Sequence, residues 1–255
     1  MMENKISALI TGGASGLGEA TVREIIKNGG NVSIMDSQEE KAKVLINELG
    51  DSCSFFKTDV TNEESVNEAI KASIDKHKHI NLLVNCAGIG IANKVIGKEK
   101  LHDTNIFQKV INVNLIGSFN VLKLAAEKMI ENKPDNENFR GVIINTASIA
   151  AFDGQIGQAA YSASKGGIVS LTLPLAREFA RYGIRVCTIA PGLFETPMMA
   201  GLPEKAYNAL VESTLYPKRL GKPEEYAKLV IAIFQNNMLN GEIIRLDGSL
   251  RMAPK

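Results

Sequence analysis

The sequence predicts an α/β fold: a single doubly wound domain in which a parallel seven-stranded sheet carries helices on both faces. Three observations lead there. Short β-rich apolar runs alternate with longer segments of helical periodicity along the chain, the pattern of parallel strands joined by crossover helices. The chain has 255 residues and is 45% hydrophobic. That suffices for a full core, since folding at about this size removes roughly three quarters of the unfolded chain's surface from water. No repeat, low-complexity stretch or hydrophilic linker divides the sequence, so residues 1–255 read as one domain. Trp is absent and aromatics make up 5%, leaving Leu, Ile, Val and Ala to fill the core.

The elements follow in order. Ile6 to Thr11 is a short apolar strand that runs into glycines. Glu19 to Lys27 has helical spacing and stops at Gly29-Gly30, a C-terminal cap signal. Asn31 to Asp36 is the second strand, Gln38 to Leu49 a helix closed by Gly50, and Cys53 to Lys57 the third strand. Glu63 to Lys76 is helical, with Thr61 or Asn62 able to cap its free N–H groups. Ile80 to Asn85 is the fourth strand, and Ile106 to Met129 reads as one long helix. Gly141 to Thr146 is the fifth strand. Tyr161 to Tyr182 is a helix in which Pro174 predicts a kink or break, because proline removes a donor and crowds the preceding turn. Ile184 to Ala190 is the sixth strand. Further helices follow a Pro- and Met-rich loop, and Glu242 to Leu246 is the last strand.

Charge and composition exclude several classes of function. Lys plus Arg is 29 and Asp plus Glu is 28, a net charge of +1 with three His neutral. No like-charge block exists to serve a polyanion or an anionic surface, so no direct nucleic-acid or membrane partner is expected. No run of eighteen apolar residues occurs that would suit a membrane span. Cys53, Cys86 and Cys187 are scattered and odd in number, which is no disulfide framework and fits a reducing compartment. His77, His79 and His102 lack metal-ligand spacing, and no metal is expected. Strand character begins within six residues of Met1, leaving no room for a cleavable leader; a cytoplasmic location is expected.

The first strand runs directly into Gly12-Gly13-Ala14-Ser15-Gly16-Leu17-Gly18, and a helix follows. Residues without Cβ let backbone approach a pyrophosphate at a helix N-terminus, whose dipole favours negative charge. Glycine turns after strands are common, so the context matters: strand before, helix after, and a carboxylate at Asp36, 18 residues beyond Gly18. A carboxylate there bonds both ribose hydroxyls of NAD and repels a 2′-phosphate; alternatively it caps the next helix. No Arg lies between positions 35 and 40, so NAD is expected over NADP. Asp59-Val60 either brackets the adenine or forms a turn with Thr61 as cap.

The fifth strand ends at Ala147-Ser148. Thirteen residues later comes Tyr161, with Lys165 at i+4 on the same helix face. A phenol ordinarily loses its proton near pH 10. A neighbouring ammonium stabilises the phenolate and lowers that value, so the tyrosine can exchange a proton with an alcohol or carbonyl oxygen near neutrality. Ser148 can bond the same oxygen, and Asn114 can hold the lysine through water and backbone. Each of these signals is weak alone, since Tyr and Lys four apart on a helix are frequent by chance; their combination with the glycine turn carries the reading.

With these residues in view, the chain resembles the short-chain dehydrogenase/reductases. The matching motifs are TGxxxGxG over Thr11 to Gly18, Asp59-Val60, Asn85-Cys86-Ala87-Gly88, Asn114, Ser148, Tyr161-x-x-x-Lys165 and Pro191-Gly192, in the family's order and across essentially the whole chain. The resemblance implies a Rossmann fold and an Asn114, Ser148, Tyr161 and Lys165 catalytic set. It implies cofactor contacts from Gly12, Ser15, Gly16, Leu17, Gly18, Asp36, Asp59, Val60, Asn85, Cys86, Ala87, Gly88, Tyr161, Lys165, Pro191, Phe194 and Thr196. Within the family the chain is most similar to the branch acting on 3-hydroxyacyl-CoA and 17β-hydroxysteroids. That likeness lies in the segments RGVIINTASIAAFDGQIGQAAYSASKGGIVSLTLPLAR, IRVCTIAPGLFETPM and NGEIIRLDGSLRM, and in two inserted segments, Ala92 to Asn105 and Glu131 to Arg140. It implies that Gln155 joins Ser148 and Tyr161 beside the substrate oxygen and that the protein is a homotetramer. A mitochondrial matrix location would also follow from it, but the shorter N-terminus here weakens that assignment.

A substrate lid is expected over about residues 191–215. Leu193, Phe194, Met198, Met199 and Leu202 make it apolar, and Met adapts to irregular ligands, which suits an acyl chain or a steroid; Met198 and Met199 are equally compatible with core packing. Lys94, Lys98 and Lys100 can meet coenzyme A phosphates or form a solvated face. The expected activity is NAD-dependent oxidation of 3-hydroxyacyl-CoA to 3-ketoacyl-CoA. Its rivals are a hydroxysteroid or other secondary-alcohol dehydrogenase and, in a different class, a non-catalytic dinucleotide-binding scaffold. The segment Gly241 to Ala253 is a candidate subunit interface.

Overall fold

The computed structural model describes residues 5–197, 199 and 204–254. Seven strands form one parallel sheet in the order β3-β2-β1-β4-β5-β6-β7. They are β1 (Ser7–Thr11), β2 (Asn31–Asp36), β3 (Cys53–Lys57), β4 (Leu82–Asn85), β5 (Gly141–Thr146), β6 (Ile184–Pro191) and β7 (Ile243–Leu246). The register pairs Ile10 with Ile34 on one side and with Val84 on the other. Strand order reverses between β1 and β4, which opens a crevice at the C-terminal ends of the central strands, where ligands of such sheets bind.

Alternation along each strand supplies two apolar faces. Ala8, Ile10, Ile34, Val84, Ile144 and Ile189 face a layer built from α1 (Gly16–Lys27), α2 (Glu39–Leu49) and α8 (Pro223–Gln235). Leu9, Met35, Leu83, Ile143 and Val186 face α3 (Glu63–His77), α5 (Ser118–Ile130) and α6 (Ala159–Phe179). The central strands are buried on both sides, so they read as continuous apolar runs rather than as alternating ones.

Local chemistry sets the helix ends. The Asn62 side chain accepts from the N–H groups of Glu64 and Ser65 and starts α3. Asp103 does the same through Asn105 at the start of α4 (Thr104–Ile111). Pro223 stands at the first position of α8, where its missing N–H costs nothing.

Two expectations are corrected. The long helix at 106–129 is α4 and α5 joined by a π-helical turn at Asn112–Gly117; the wider turn carries Asn114 and no hydrophobic period announces it. α6 runs unbroken through Pro174. Of the expected lid, α7 (Glu204–Ser213) is helical, while Met198 and Leu202 lie outside the described residues.

Candidate active site

A cavity of about 770 Å³ opens at the reversal point of the sheet. Its floor is the glycine turn. Gly12 and Gly16 adopt positive φ of +64° and +57°, accessible to glycine at no steric cost. A Cβ on Gly12 would stand 2.8 Å from the Ala87 nitrogen, and one on Gly18 would overlap the Gly12 carbonyl. Ser15 caps α1 without a side-chain hydrogen bond, so the first N–H groups of the helix are left to face the cavity. Ser15, Gly16, Leu17 and Gly18 all line it.

Asp36 is buried at the end of β2 and lines the same cavity. Its carboxylate accepts from the Ala14 N–H at 3.0 Å and the Gln38 N–H at 2.9 Å. It therefore pins the glycine turn as well as presenting oxygen to the cavity. Asp59 and Val60 line the wall, and Asp59 also closes a turn by accepting from Thr61 N–H at 2.9 Å and Thr61 Oγ1 at 2.7 Å. The turn is therefore present, but the cap of α3 is Asn62 rather than Thr61.

The opposite side carries the polar set. Ser148 follows β5; its Oγ accepts from Ala150 N–H at 3.1 Å and is near enough to the Tyr161 hydroxyl to favour its ionised form. Tyr161 stands in the first turn of α6, with the Lys165 Nζ 5.9 Å from its ring centroid. Lys165 is buried and donates to the Thr146 carbonyl at 2.7 Å. Burial lowers its pKa from 10.5 to about 8. Burial raises that of Tyr161, against a smaller lowering by Ser148. The expected depression of the phenol is therefore not produced by the protein's own groups: desolvation outweighs an ammonium nearly 6 Å away.

Some expected cofactor or catalytic residues stand behind the wall rather than in it. Asn85 is fully bonded inside the sheet, accepting from Thr11 Oγ1 at 3.4 Å and donating to Asn145 Oδ1 at 2.9 Å and the Ser118 carbonyl at 3.3 Å. Asn114 is fully buried in the π turn. Its side chain accepts from Ile89 N–H at 2.8 Å and donates to the Ile89 carbonyl at 2.9 Å and Ser164 Oγ at 3.0 Å. These bonds fix the loop after β4, and a Cβ on Gly88 would lie 3.3 Å from Asn114 Oδ1 and 3.5 Å from Lys165 Nζ. Asn114 thus acts through that loop and reaches the lysine's surroundings only indirectly. Cys86, Ala87 and Gly88 do line the cavity.

Gln155 is also displaced from its expected role. Its carboxamide donates to the Ala253 carbonyl at 2.9 Å, and Gln158, one helical turn before Tyr161, lines the cavity instead. Pro191, Phe194, Thr196, Pro197 and Met199 form the roof. The Phe194 ring packs on Gly221 and anchors the loop, while Thr196 and Pro197 approach the position of a Gly16 Cβ to 3.5 Å. Gln158, Thr146 and Met252 are among the lining residues that the sequence alone does not reveal: Gln158 carries the weak signal of preceding Tyr161 by three residues, and Met252 none. Lys94, Lys98 and Lys100 are exposed.

A glycine cradle at a helix N-terminus beside a half-buried Ser and Tyr and a buried Lys defines a dehydrogenase built on a dinucleotide-binding sheet. Residues 7–206 match the model of the short chain dehydrogenase family, and the chain belongs to that family and is an oxidoreductase. It is 52% identical to a 3-hydroxyacyl-CoA dehydrogenase type-2 of Drosophila melanogaster, over all of both chains. Its structure superposes with a TM-score of 0.94 on a 3-hydroxyacyl-CoA dehydrogenase type-2 from Mycobacterium avium, at 41% identity, covering 98% of this chain and 97% of that one. A 3-ketoacyl-(acyl-carrier-protein) reductase from Brucella melitensis, complexed with NADH, matches at a TM-score of 0.85 and 29% identity, covering 99% of this chain and 100% of that one.

Proposed function

We propose that the protein interconverts 3-hydroxyacyl-CoA and 3-ketoacyl-CoA with NAD(H) as its cofactor. The observation that carries this is the convergence on one cavity of the glycine cradle, the Asp36 carboxylate and the Ser148-Tyr161-Lys165 group; the 52% identity to a named 3-hydroxyacyl-CoA dehydrogenase supports the substrate class.

The fit of the cofactor rests on the turn. Its glycines allow a turn so tight that a Cβ on Gly12 or Gly18 would strike neighbouring backbone, and the start of α1, with no side-chain cap bond, offers N–H groups to a pyrophosphate. Asp36 would take the adenosine ribose hydroxyls and disfavour a 2′-phosphate. Bound there, a nicotinamide dinucleotide supplies or accepts the hydride.

The protein's own part is proton transfer and charge control. Burial keeps the Tyr161 phenol protonated at neutral pH, so in the reductive direction it donates its proton to the carbonyl oxygen as the carbonyl carbon gains hydride. Ser148 bonds that oxygen and holds it toward the phenol. Lys165, charged below about pH 8, offsets the negative charge left on the tyrosine. In the oxidative direction the same proton moves from the hydroxyl to the phenolate. A homotetramer belongs to the same reading; exposed Ile116, Phe119 and Leu173 support it, and light scattering tests it.

Purified protein should oxidise NADH with acetoacetyl-CoA and longer 3-ketoacyl-CoAs and be much slower with a 17-ketosteroid. Tyr161→Phe should lower kcat by about 10²–10⁴, the usual worth of a positioned acid, with NADH affinity nearly unchanged. Wild-type-like turnover by that variant would sink the mechanism, and preference for the steroid would sink the substrate class.

A further inference from the structure

Resting on the acyl-CoA reading, we propose that the segment Leu250–Pro254 forms a wall of the acyl compartment and that Met252 determines which acyl chains the enzyme accepts. All of the segment but Pro254 belongs to the stretch Gly241 to Ala253, expected from sequence to lie in a subunit interface. In the structure it folds back on its own chain, and Met252 lines the same cavity as Ser148 and Tyr161.

The tail is fastened to the loop that connects those two residues. At the end of β7, Arg245 bonds Asp153 at 2.5 Å and Asp247 at 2.7 Å, donates to the Leu250 carbonyl at 3.1 Å, and stands 5.2 Å over the Phe152 ring. Arg251 adds a second bridge to Asp247 at 3.1 Å. The Asp153 carboxyl is held below its ordinary pKa, chiefly by its bond to Arg245, so this clamp stays ionised through the neutral range. Beyond it, Gln155 Nε2 donates to the Ala253 carbonyl at 2.9 Å, and Ile156 N–H donates to the Pro254 carbonyl at 3.0 Å. Met252 lies between these two sets of contacts, so its backbone is positioned from both sides.

The chemistry of the wall fits the acyl part of the substrate. Ile149, Leu193, Met199 and Met252 are among the apolar residues that line the cavity. The coenzyme half of an acyl-CoA is polar and charged and gains nothing from a thioether. A hydrocarbon chain gains roughly 0.8 kcal/mol per buried methylene, and methionine adapts to the irregular gap such a chain leaves. The clamp makes the wall firm enough to discriminate, while a single side chain sets the depth.

The test compares wild type, Met252→Ala, Met252→Phe and Gln155→Ala. Each is assayed for kcat/KM on short, medium and long 3-ketoacyl-CoAs, with NADH affinity followed by fluorescence and folding by thermal melting. One methylene in such a pocket discriminates by roughly 10–200-fold. Met252→Ala should therefore shift the long-to-short ratio at least about 10-fold toward long chains, Met252→Phe should shift it the other way, and both should leave NADH affinity unchanged. Gln155→Ala, by releasing Ala253, should flatten the chain-length profile. Met252 variants that keep the wild-type ratio overturn the proposal. So does a Gln155→Ala variant that loses activity equally on every chain length, the signature of a residue touching the substrate oxygen. A wild-type protein inactive on every acyl-CoA overturns the functional reading as well, and it is recognised before any variant is compared.

Discussion

Replacing Lys165 with methionine should stabilise the folded protein near neutral pH while abolishing turnover. Methionine matches much of the length of the lysine stem without its charge. In the folded protein burial lowers the lysine pKa from 10.5 to about 8, and its hydrogen-bond partner is a main-chain carbonyl. At about 1.4 kcal/mol per pH unit this gap corresponds to a folding penalty on the order of 3 kcal/mol. Below about pH 8 the ammonium is charged in both states, and the folded state carries the full penalty. Between about 8 and 10.5 the folded state gives up the proton while the unfolded chain keeps it, so wild-type stability rises with pH through that window. The methionine variant carries no such penalty, but it leaves the Thr146 carbonyl without its donor, which costs about 1–3 kcal/mol. The net gain at pH 7 is therefore about 1 kcal/mol, a few degrees in Tm for a chain of this size. The pH dependence is the sharper signal. Urea unfolding of both proteins without added dinucleotide, from about pH 7 to about pH 10, should show the variant's advantage shrinking and then reversing. Groups remote from Lys165 titrate alike in both proteins and cancel in the difference, and burial raises the pKa of Cys86, the neighbour whose charge couples to the lysine. A difference that stays flat or grows with pH would refute the assignment of Lys165 as a buried, unpaired cation.

Four further outcomes are expected. Reduction should persist from about pH 7 to about pH 10, because burial raises the Tyr161 pKa above its ordinary value and keeps the proton donor loaded; an initial reductive rate that falls tenfold per pH unit above about pH 8 would contradict this. Asp36→Ala should lower the ratio of kcat/KM for NAD over NADP at least about 10-fold, since a charge-assisted bond is worth about 1.5–3 kcal/mol. It should also lower Tm, because Ala14 and Gln38 lose their acceptor. Gly18→Ala should eliminate NADH binding in a fluorescence titration, as its Cβ overlaps the Gly12 carbonyl. Tyr226→Phe should cost about 1–2 kcal/mol in urea unfolding, because the buried hydroxyl bonds Thr146 Oγ1 at 2.7 Å and its removal leaves that oxygen only the weak contact with Cys86 Sγ at 3.6 Å.

Much of the molecule is legible in the sequence because its causes are local. Strand-to-helix alternation, the Gly50 stop, the Asn62 cap and the Gly12 to Gly18 turn are dictated by side-chain period and backbone freedom over a few residues, and the structure places them there. The i+4 spacing of Tyr161 and Lys165 likewise fixes a shared helix face. Other features depend on partners distant in sequence. The π turn at Asn112–Gly117 carries Asn114, whose bonds reach Ile89 and Ser164, and nothing in its own segment demands it. α6 continues through Pro174 although local chemistry predicts a kink or a break there, and of the two only the break is ruled out.

The sequence by itself determined the sheet, its faces, the glycine cradle and the identity of the Ser148, Tyr161 and Lys165 group, because period, glycine freedom and residue chemistry are properties of short segments. Only the tertiary structure decided the electrostatics and the boundary of the site. The Tyr161 phenol is raised rather than lowered, since desolvation depends on everything packed around it. Asn85 and Asn114 turn to internal hydrogen bonds, since a buried amide must find partners wherever the fold brings them. Gln155 holds Ala253 and brings Met252 to the cavity, a contact between residues nearly a hundred positions apart that no local pattern can encode.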